Sequence, residues 1–273
     1  GSFDASQTVI PAEDVSAEAA TENISATDVW RLSLYGSRTP PLLNGSPVFD
    51  LRFRAPGHVI FHEGRLALSG PEEDSQRLDF STTEDFLTFS PSDQDGSVSA
   101  DNAISVRLDA DQVNAVQWLS VEERGLLVGT SGAEWIIRRA AQTDALAADN
   151  VQAVLSTTYG SAPTRPLRVA NVTLFNQRDR RTLRELTYVF EIDGFRAPDM
   201  SLLAEHLMRD GVRRMVYQQS PQKTVWVCTN EGRLLSFTYE RDQDVIAWAQ
   251  HDLGGEEVFV QDLAVIPAPD GRT

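Results

Sequence analysis

Cysteine is almost absent from this sequence, because Cys228 is the only one among 273 residues. A single thiol cannot form an intramolecular disulfide and cannot supply a cysteine-based zinc site. Since Cys228 lies in the apolar run Val225–Cys228, we expect a small buried side chain rather than a reactive thiol. No apolar run approaches the ~18 residues of a membrane helix, which predicts no membrane span. The first residues also lack the basic start and apolar core of a signal peptide.

Positive charge is scarce. The chain has 24 Lys and Arg residues against 40 Asp and Glu residues, and a formal net charge of −16. Phosphate contacts need clustered Lys and Arg, so adhesive binding to nucleic acid is not expected. An acidic surface can instead repel DNA, as the wall of a conduit would.

Helical periodicity is scarce too, whereas short apolar runs bounded by Gly, Pro, Asp and Asn recur along the chain. His58–Gly70 contains two such runs around Glu63-Gly64, a pattern typical of a β-hairpin. Comparable groups of runs begin near Val59, Val116, Val169, Met215 and Leu263. A period of about 45–55 residues with about four strands is typical of propeller blades. The sequence predicts an all-β fold of β-propeller-like antiparallel four-stranded blades with few short helices.

The composition predicts two parts in the chain. Residues 1–28 are rich in Ala, Ser, Thr, Glu and Asp, and we expect a flexible arm or linker there. Residues 29–273 are expected to form the propeller-like β domain, which can belong to a longer chain.

Few segments have helical signals. Ala197–Gly211 is predicted to contain a short helix, with Asp199 or Ser201 at its start, and a weaker pattern covers Thr143–Asn150. Among the strands, Trp226 and Trp248 are predicted to lie in the core of one blade.

The acidic group Glu240, Asp242 and Asp244 stands between two apolar runs, Leu234–Tyr239 and Val245–Trp248. Catalytic carboxylates would need a partner in a pocket and an environment that shifts a pKa. Interleaved charges are the usual composition of an exposed turn. We therefore predict the solvated bend of a hairpin.

Other candidate ligand groups are weaker. Ser92–Asp101 has alternating oxygen ligands but lacks the complete calcium-loop pattern. His58 and His62 would lie ~13 Å apart on a strand, too far to share one zinc ion. Gly129–Trp135 has no following helix that could hold a phosphate. We predict no catalytic, cofactor-binding or metal-binding residues, and a protein that is not an enzyme.

From Pro56 onward the chain resembles a known family, the large tail proteins of tailed bacteriophages, which include the propeller-bearing nozzle subunits of short-tailed phages. The resemblance lies in the order of five stretches rather than in any one of them. These stretches are "VIFHEGRLALSG" (59–70), "FLTFSPSDQDGSVSADNAISVRLDADQVNAVQWL" (86–119), "GLLVGTSGAEWII" (125–137), "TTYGSAPTRPLRVANVTLFNQRDRRTLRELTYVFEIDGFRAPDMSLLAEHL" (157–207) and "YQQSPQKTVWVCTNEGRLLSFTYERDQDVIAWAQHDLGG" (217–255).

The resemblance implies a structural subunit of the virion, made in the host bacterial cytoplasm and placed in a ring at the distal tail. Its expected partners are further copies of itself and other tail proteins, such as an adaptor, a fibre or a spike. DNA would pass through the ring without specific binding.

Two other readings remain open at this point. A propeller can be a binding module that recognises a host glycan or protein through loops at one end of its axis. A depolymerase would need paired carboxylates in a groove, and the sequence alone places none.

Overall fold

The computed structural model describes residues 42–43, 46–47, 56–69, 74–92, 97–110, 114–140, 144–243, 245–255 and 258–266, with the backbone alone at 42–43, 46–47 and 242. The predicted arm, residues 1–28, lies outside the described residues. Its boundary with the β domain therefore stays a prediction.

Short antiparallel strands make up nearly all of the regular structure. A two-residue pair, β1 (Leu42–Leu43) and β2 (Ser46–Pro47), comes first. The strands of the first sheet are β3 (Val59–His62), β4 (Arg65–Ser69), β5 (Arg77–Phe80) and β6 (Ile104–Arg107). The strands of the second sheet are β7 (Val116–Glu122), β8 (Gly125–Thr130), β9 (Glu134–Arg139) and β10 (Val151–Thr157).

Two more sheets follow with the same plan. The third consists of β11 (Leu167–Val169), β12 (Val172–Asn176), β13 (Leu183–Val189) and β14 (Gly194–Arg196). The fourth consists of β15 (Val212–Gln218), β16 (Thr224–Thr229), β17 (Leu234–Glu240) and β18 (Val245–His251). In each sheet, consecutive strands are neighbours. The prediction of an all-β fold of propeller-like four-stranded antiparallel sheets is confirmed.

The chain divides into two compact units. One comprises residues 1–116 and 138–153, and the other comprises residues 117–137 and 154–273. The first sheet belongs to the first unit, and the third and fourth sheets belong to the second unit.

Turn chemistry explains why neighbouring strands pair. Glu63 and Gly64 both have left-handed φ angles, 48° and 72°, which is the geometry of a tight two-residue hairpin turn. Turns at Ser131-Gly132, Arg178–Arg181 and Asn230–Gly232 also connect adjacent strands.

An apolar core of the second unit lies between the third and fourth sheets. Inward-facing residues of alternate positions fill it, as expected for pleated strands. Its fully buried members include Leu174, Leu183, Val225, Val227 and Phe237. A second cluster joins the second and third sheets around Trp118, Leu127, Phe175 and Leu186.

The first sheet has an apolar interior too, in which Ala67, Leu78, Phe80 and Ile104 are at most 1% exposed. It differs in that it also encloses a charged side chain. The guanidinium of Arg65, 1% exposed, donates hydrogen bonds to the carbonyl oxygens of Ser81 at 2.6 Å and Asn102 at 2.8 Å. It also donates to the carbonyl oxygen of Leu146 at 3.2 Å, so one side chain connects three segments of the first unit.

Three expectations need correction. The predicted helix in Ala197–Gly211 is a 3-10 helix over Leu202–Leu207, and two further 3-10 turns were missed, Phe190–Ile192 and Arg241–Gln243. The described part of Thr143–Asn150 forms turns instead of a helix, because Asn150 satisfies the backbone of Ala145 and Ala147 with its side-chain amide. The fifth repeat has no strand in residues 258–266, where the amide N–H of Val260 donates to the carbonyl oxygen of Gly232 at 2.9 Å.

Candidate functional site

The acidic bend is the hairpin connection that the sequence predicts. Glu240 ends β17 and pairs at 2.7 Å with Lys223, the residue before the neighbouring strand β16. Arg241–Gln243 form the 3-10 turn that follows. The side chain of Asp242 and all of Asp244 lie outside the described residues.

Arg241 in this bend forms an ion pair that sequence reasoning missed. Its guanidinium contacts the carboxylate oxygens of Glu185 on β13 at 2.8 and 2.9 Å, and Glu185 is 2% exposed. Hydrogen bonding to Glu185 raises the pKa of Arg241. Burial, followed by the negative charge of Glu185, raises the pKa of the adjacent Tyr239. The pair ties the third sheet to the fourth and leaves both charges compensated.

A second buried carboxylate lies at the start of β9. Glu134, 0% exposed, accepts hydrogen bonds from Thr157 Oγ1 at 2.6 Å and Ser161 Oγ at 2.8 Å. Burial raises its pKa, and these hydrogen bonds oppose the rise. These hydrogen bonds hold the loop after β10 in place. Because the carboxylate is enclosed, a substrate cannot reach it.

The histidines proposed and rejected as zinc ligands have local partners. His58 Nδ1 lies 3.2 Å from Ser69 Oγ. His62 is buried, and burial lowers its pKa, which favours the neutral ring. Within the described ranges, no three His, Cys, Asp or Glu side chains come together to hold a metal ion. Part of the Ser92–Asp101 loop, residues 93–96, lies outside those ranges.

The prediction that Trp226 belongs to the core is wrong. The core side chains of β16 are Val225 and Val227, so strand alternation places Trp226 on the opposite face, where it is half-buried. Its indole N–H donates to Gln218 Oε1 at 2.7 Å. Trp248 does pack on the core and stacks on Phe237 with ring centroids 4.5 Å apart.

Cys228 is buried in β16, as predicted. Its Sγ lies 3.0 Å from the carbonyl oxygen of Val260, and burial raises the pKa of its thiol. Both features disfavour the reactive thiolate.

A groove lies beside β18 in the second unit. It has a volume of about 640 Å³ and lies between β18 and the 3-10 helix Leu202–Leu207. Leu202 and Leu203 are 71% and 94% exposed, and Ile246 is 40% exposed. Such a contiguous apolar surface is typical of a protein contact. The sequence signal for it was the uncharged strand "VIAWAQH", which we assigned only to a core.

Comparison with solved structures finds chains of similar fold, whereas comparison with sequence families and curated proteins finds none. No family model matches the chain, and no curated protein matches it. A protein from Lactobacillus plantarum is similar in structure at 13% identity and a TM-score of 0.44, over 72% of this chain and 55% of that one. The chain thus spans about half of that protein.

Two further solved structures are similar. The β-propeller domain of Swd1 (Cps50) from Myceliophthora thermophila shares 15% identity at a TM-score of 0.42, over 81% of this chain and 68% of that one. Apo AztD from Citrobacter koseri shares 12% identity at a TM-score of 0.40, over 79% and 62%. None of the three is described as a virion protein. The chain is a β-propeller-like module by its own strand topology.

Proposed function

We propose that this chain is a structural subunit of a bacteriophage tail, in a nozzle-like ring that lines or braces the DNA-ejection conduit. It acts in the virion after synthesis in the host bacterial cytoplasm, beside other tail proteins such as an adaptor, a fibre or a spike. The observation that carries the proposal is the apolar groove along β18, which suits an assembled protein.

A neighbouring copy of the chain is the occupant that the charges favour. Copies with a formal net charge of −16 repel one another, so contact is least costly where carboxylates are few. β18 has no Asp or Glu, and Asp199 at the groove accepts hydrogen bonds from Ser201 at 2.7 Å. Within the described chain β18 pairs only with β17, so its outer edge offers backbone groups to a partner.

The acidic balance suits the conduit itself. A wall that carries excess negative charge repels DNA phosphates, so a genome slides past it without adhering. Among the described residues, no helix has the length and apolar character to cross a membrane.

The double variant Leu203→Asp/Ile246→Asp tests the groove. We expect it to fold but to form no rings in electron micrographs, because two charges enter an apolar contact. Phe190→Asp/Ile192→Asp is the matched control, since these residues are 79% and 49% exposed and lie outside the groove. Mass spectrometry of purified virions supplies the second test. Rings that survive the groove variant, or virions without the chain, would contradict the proposal.

The alternative function is a binding module for a host glycan or protein. It is supported by the polar groups His206 and Gln250 beside the indole of Trp248 in the same groove. Glycan-array binding that is lost in His206→Ala/Gln250→Ala, with ring formation intact, would favour this alternative.

A further inference from the structure

Positive charge is scarce in this chain but concentrated at one place in the second unit. Five exposed arginines come from two loops, the β12–β13 turn and the segment before and at the start of β15. They are Arg178, Arg180, Arg181, Arg209 and Arg213, and we call them the arginine surface.

Backbone contacts hold the two loops together. The amide N–H of Val212 donates to the carbonyl oxygen of Arg180 at 2.7 Å. Gly211, with φ of +84°, lies so close that a Cβ there would be 3.4 Å from Arg180 Cβ. The two loops are therefore neighbours, and the five exposed arginines lie on adjoining segments of the chain.

The carboxylates within these two loops are already engaged. Asp179 accepts hydrogen bonds from the amides of Arg181 and Thr182 at 2.9 and 3.1 Å, and from Thr182 Oγ1 at 2.8 Å. Asp210 pairs with Arg233 and accepts the amide N–H of Glu231 at 2.9 Å. Among the described residues, no side chain forms an ion pair with any of the five arginines.

We infer that the arginine surface binds the acidic N-terminal segment, residues 1–28, of a second copy of this chain. That segment contains six carboxylates and no Lys, Arg or His, namely Asp4, Glu13, Asp14, Glu18, Glu22 and Asp28. A short acidic peptide matches the limited extent of two loops. A long nucleic acid would extend beyond them onto a chain whose net charge is −16.

This inference rests on the proposed function, in which copies of the chain form a ring, and it names a contact that connects neighbouring copies. An arm on one copy and a receptor surface on the next are different surfaces, so the contact is head-to-tail and can close into a ring. Arm and surface attract over about one Debye length, ~8 Å at 0.15 M salt, so the association should weaken with salt.

Sedimentation velocity on the full chain tests this contact. The patch variant is Arg180→Glu/Arg181→Glu, and the arm variant replaces the six carboxylates of residues 1–28 by Asn or Gln. We expect each to weaken self-association at least about tenfold at ~0.05 M NaCl and little at ~0.5 M. Arg165→Glu/Arg196→Glu is the matched control, since both arginines are exposed and lie outside the arginine surface.

Mixing the two variants gives the sharper result. The patch variant keeps its acidic arm, and the arm variant keeps its arginine surface. In the mixture the arm of the first can bind the arginine surface of the second, but no further contact can form. Heterodimers should therefore form without rings. A wild-type chain that is monomeric, a control as defective as the patch variant, or a mixture without heterodimers would overturn the inference. So would binding of a DNA oligonucleotide that the patch variant loses while self-association persists. Rings that depend on Leu203 and Ile246 but not on the arginines would refute this contact and leave the proposed function standing.

Discussion

The first and fourth sheets have the same four-stranded plan but are stabilised by different interactions. The fourth sheet packs Val225, Val227 and Phe237, all 0% exposed, into an apolar core. The first sheet also buries Leu78, Phe80 and Ile104, but in addition it encloses the guanidinium of Arg65, which donates hydrogen bonds to buried carbonyl oxygens. Strand order alone therefore does not specify what holds a sheet, and the two can be broken by different substitutions.

The largest effect is expected in the apolar region. Phe237→Ala removes a fully buried ring that stacks on Trp248, which should lower the free energy of unfolding by about 3–5 kcal/mol. Chemical denaturation with urea measures it. A loss below ~1 kcal/mol would show that this core is not tightly packed.

Arg65→Met tests the polar region. The substitution keeps the aliphatic length but leaves buried carbonyl oxygens without donors, and we expect a loss of about 3 kcal/mol. Leu68→Ala changes the apolar cluster of the same sheet, and its free energy of unfolding is measured beside that of Arg65→Met. If Arg65→Met unfolds no more easily than the wild type, the polar account of the first sheet is wrong.

The two faces of the fourth sheet should differ as well. Trp226 is half-buried on the face opposite to the core, so Trp226→Ala should cost only about 1–2 kcal/mol. Measured beside Phe237→Ala by the same denaturation, it should give the smaller change. Equal costs would place Trp226 in a core.

Glu134→Gln provides a pH-dependent comparison. A carboxyl group whose folded pKa is raised favours the protonated state, so its stabilising contribution is complete below its unfolded value of 4.5. That contribution is lost as the pH rises through the folded value. The difference in unfolding free energy between wild type and variant should therefore change as the pH rises above 4.5, and a pH-independent difference would refute this.

The smallest effect is expected at the acidic bend. Glu240 pairs with Lys223 at an exposed position, so Glu240→Gln should change stability by less than ~0.5 kcal/mol. Arg241→Met in the same bend should cost clearly more, since it leaves buried Glu185 without its partner. Thermal melts of both variants test the contrast.

Local sequence patterns predicted much of this fold. The Glu63-Gly64 turn needs left-handed φ angles, which glycine readily adopts. These two residues therefore predict the hairpin without any information on tertiary structure. The apolar runs predicted the strands for the same reason, because alternation and β-branched residues act over a few neighbours. Gly129 was harder to interpret. A Cβ at Gly129 on β8 would lie 2.1 Å from the ring of Trp118 on the neighbouring strand β7, and only the folded sheet reveals that contact.

What the sequence by itself determined is the class of fold, its strand-and-turn order, the buried Cys228 and the acidic balance, all of which follow from short-range pattern and composition. Tertiary structure decided which face of β16 became core, and therefore that Trp226 lies outside it. It also decided that Arg241 meets Glu185 and that the loops of Arg180 and Gly211 are neighbours. These partners lie far apart in sequence, and no local pattern encodes which distant side chain will fill a given space or compensate a given charge.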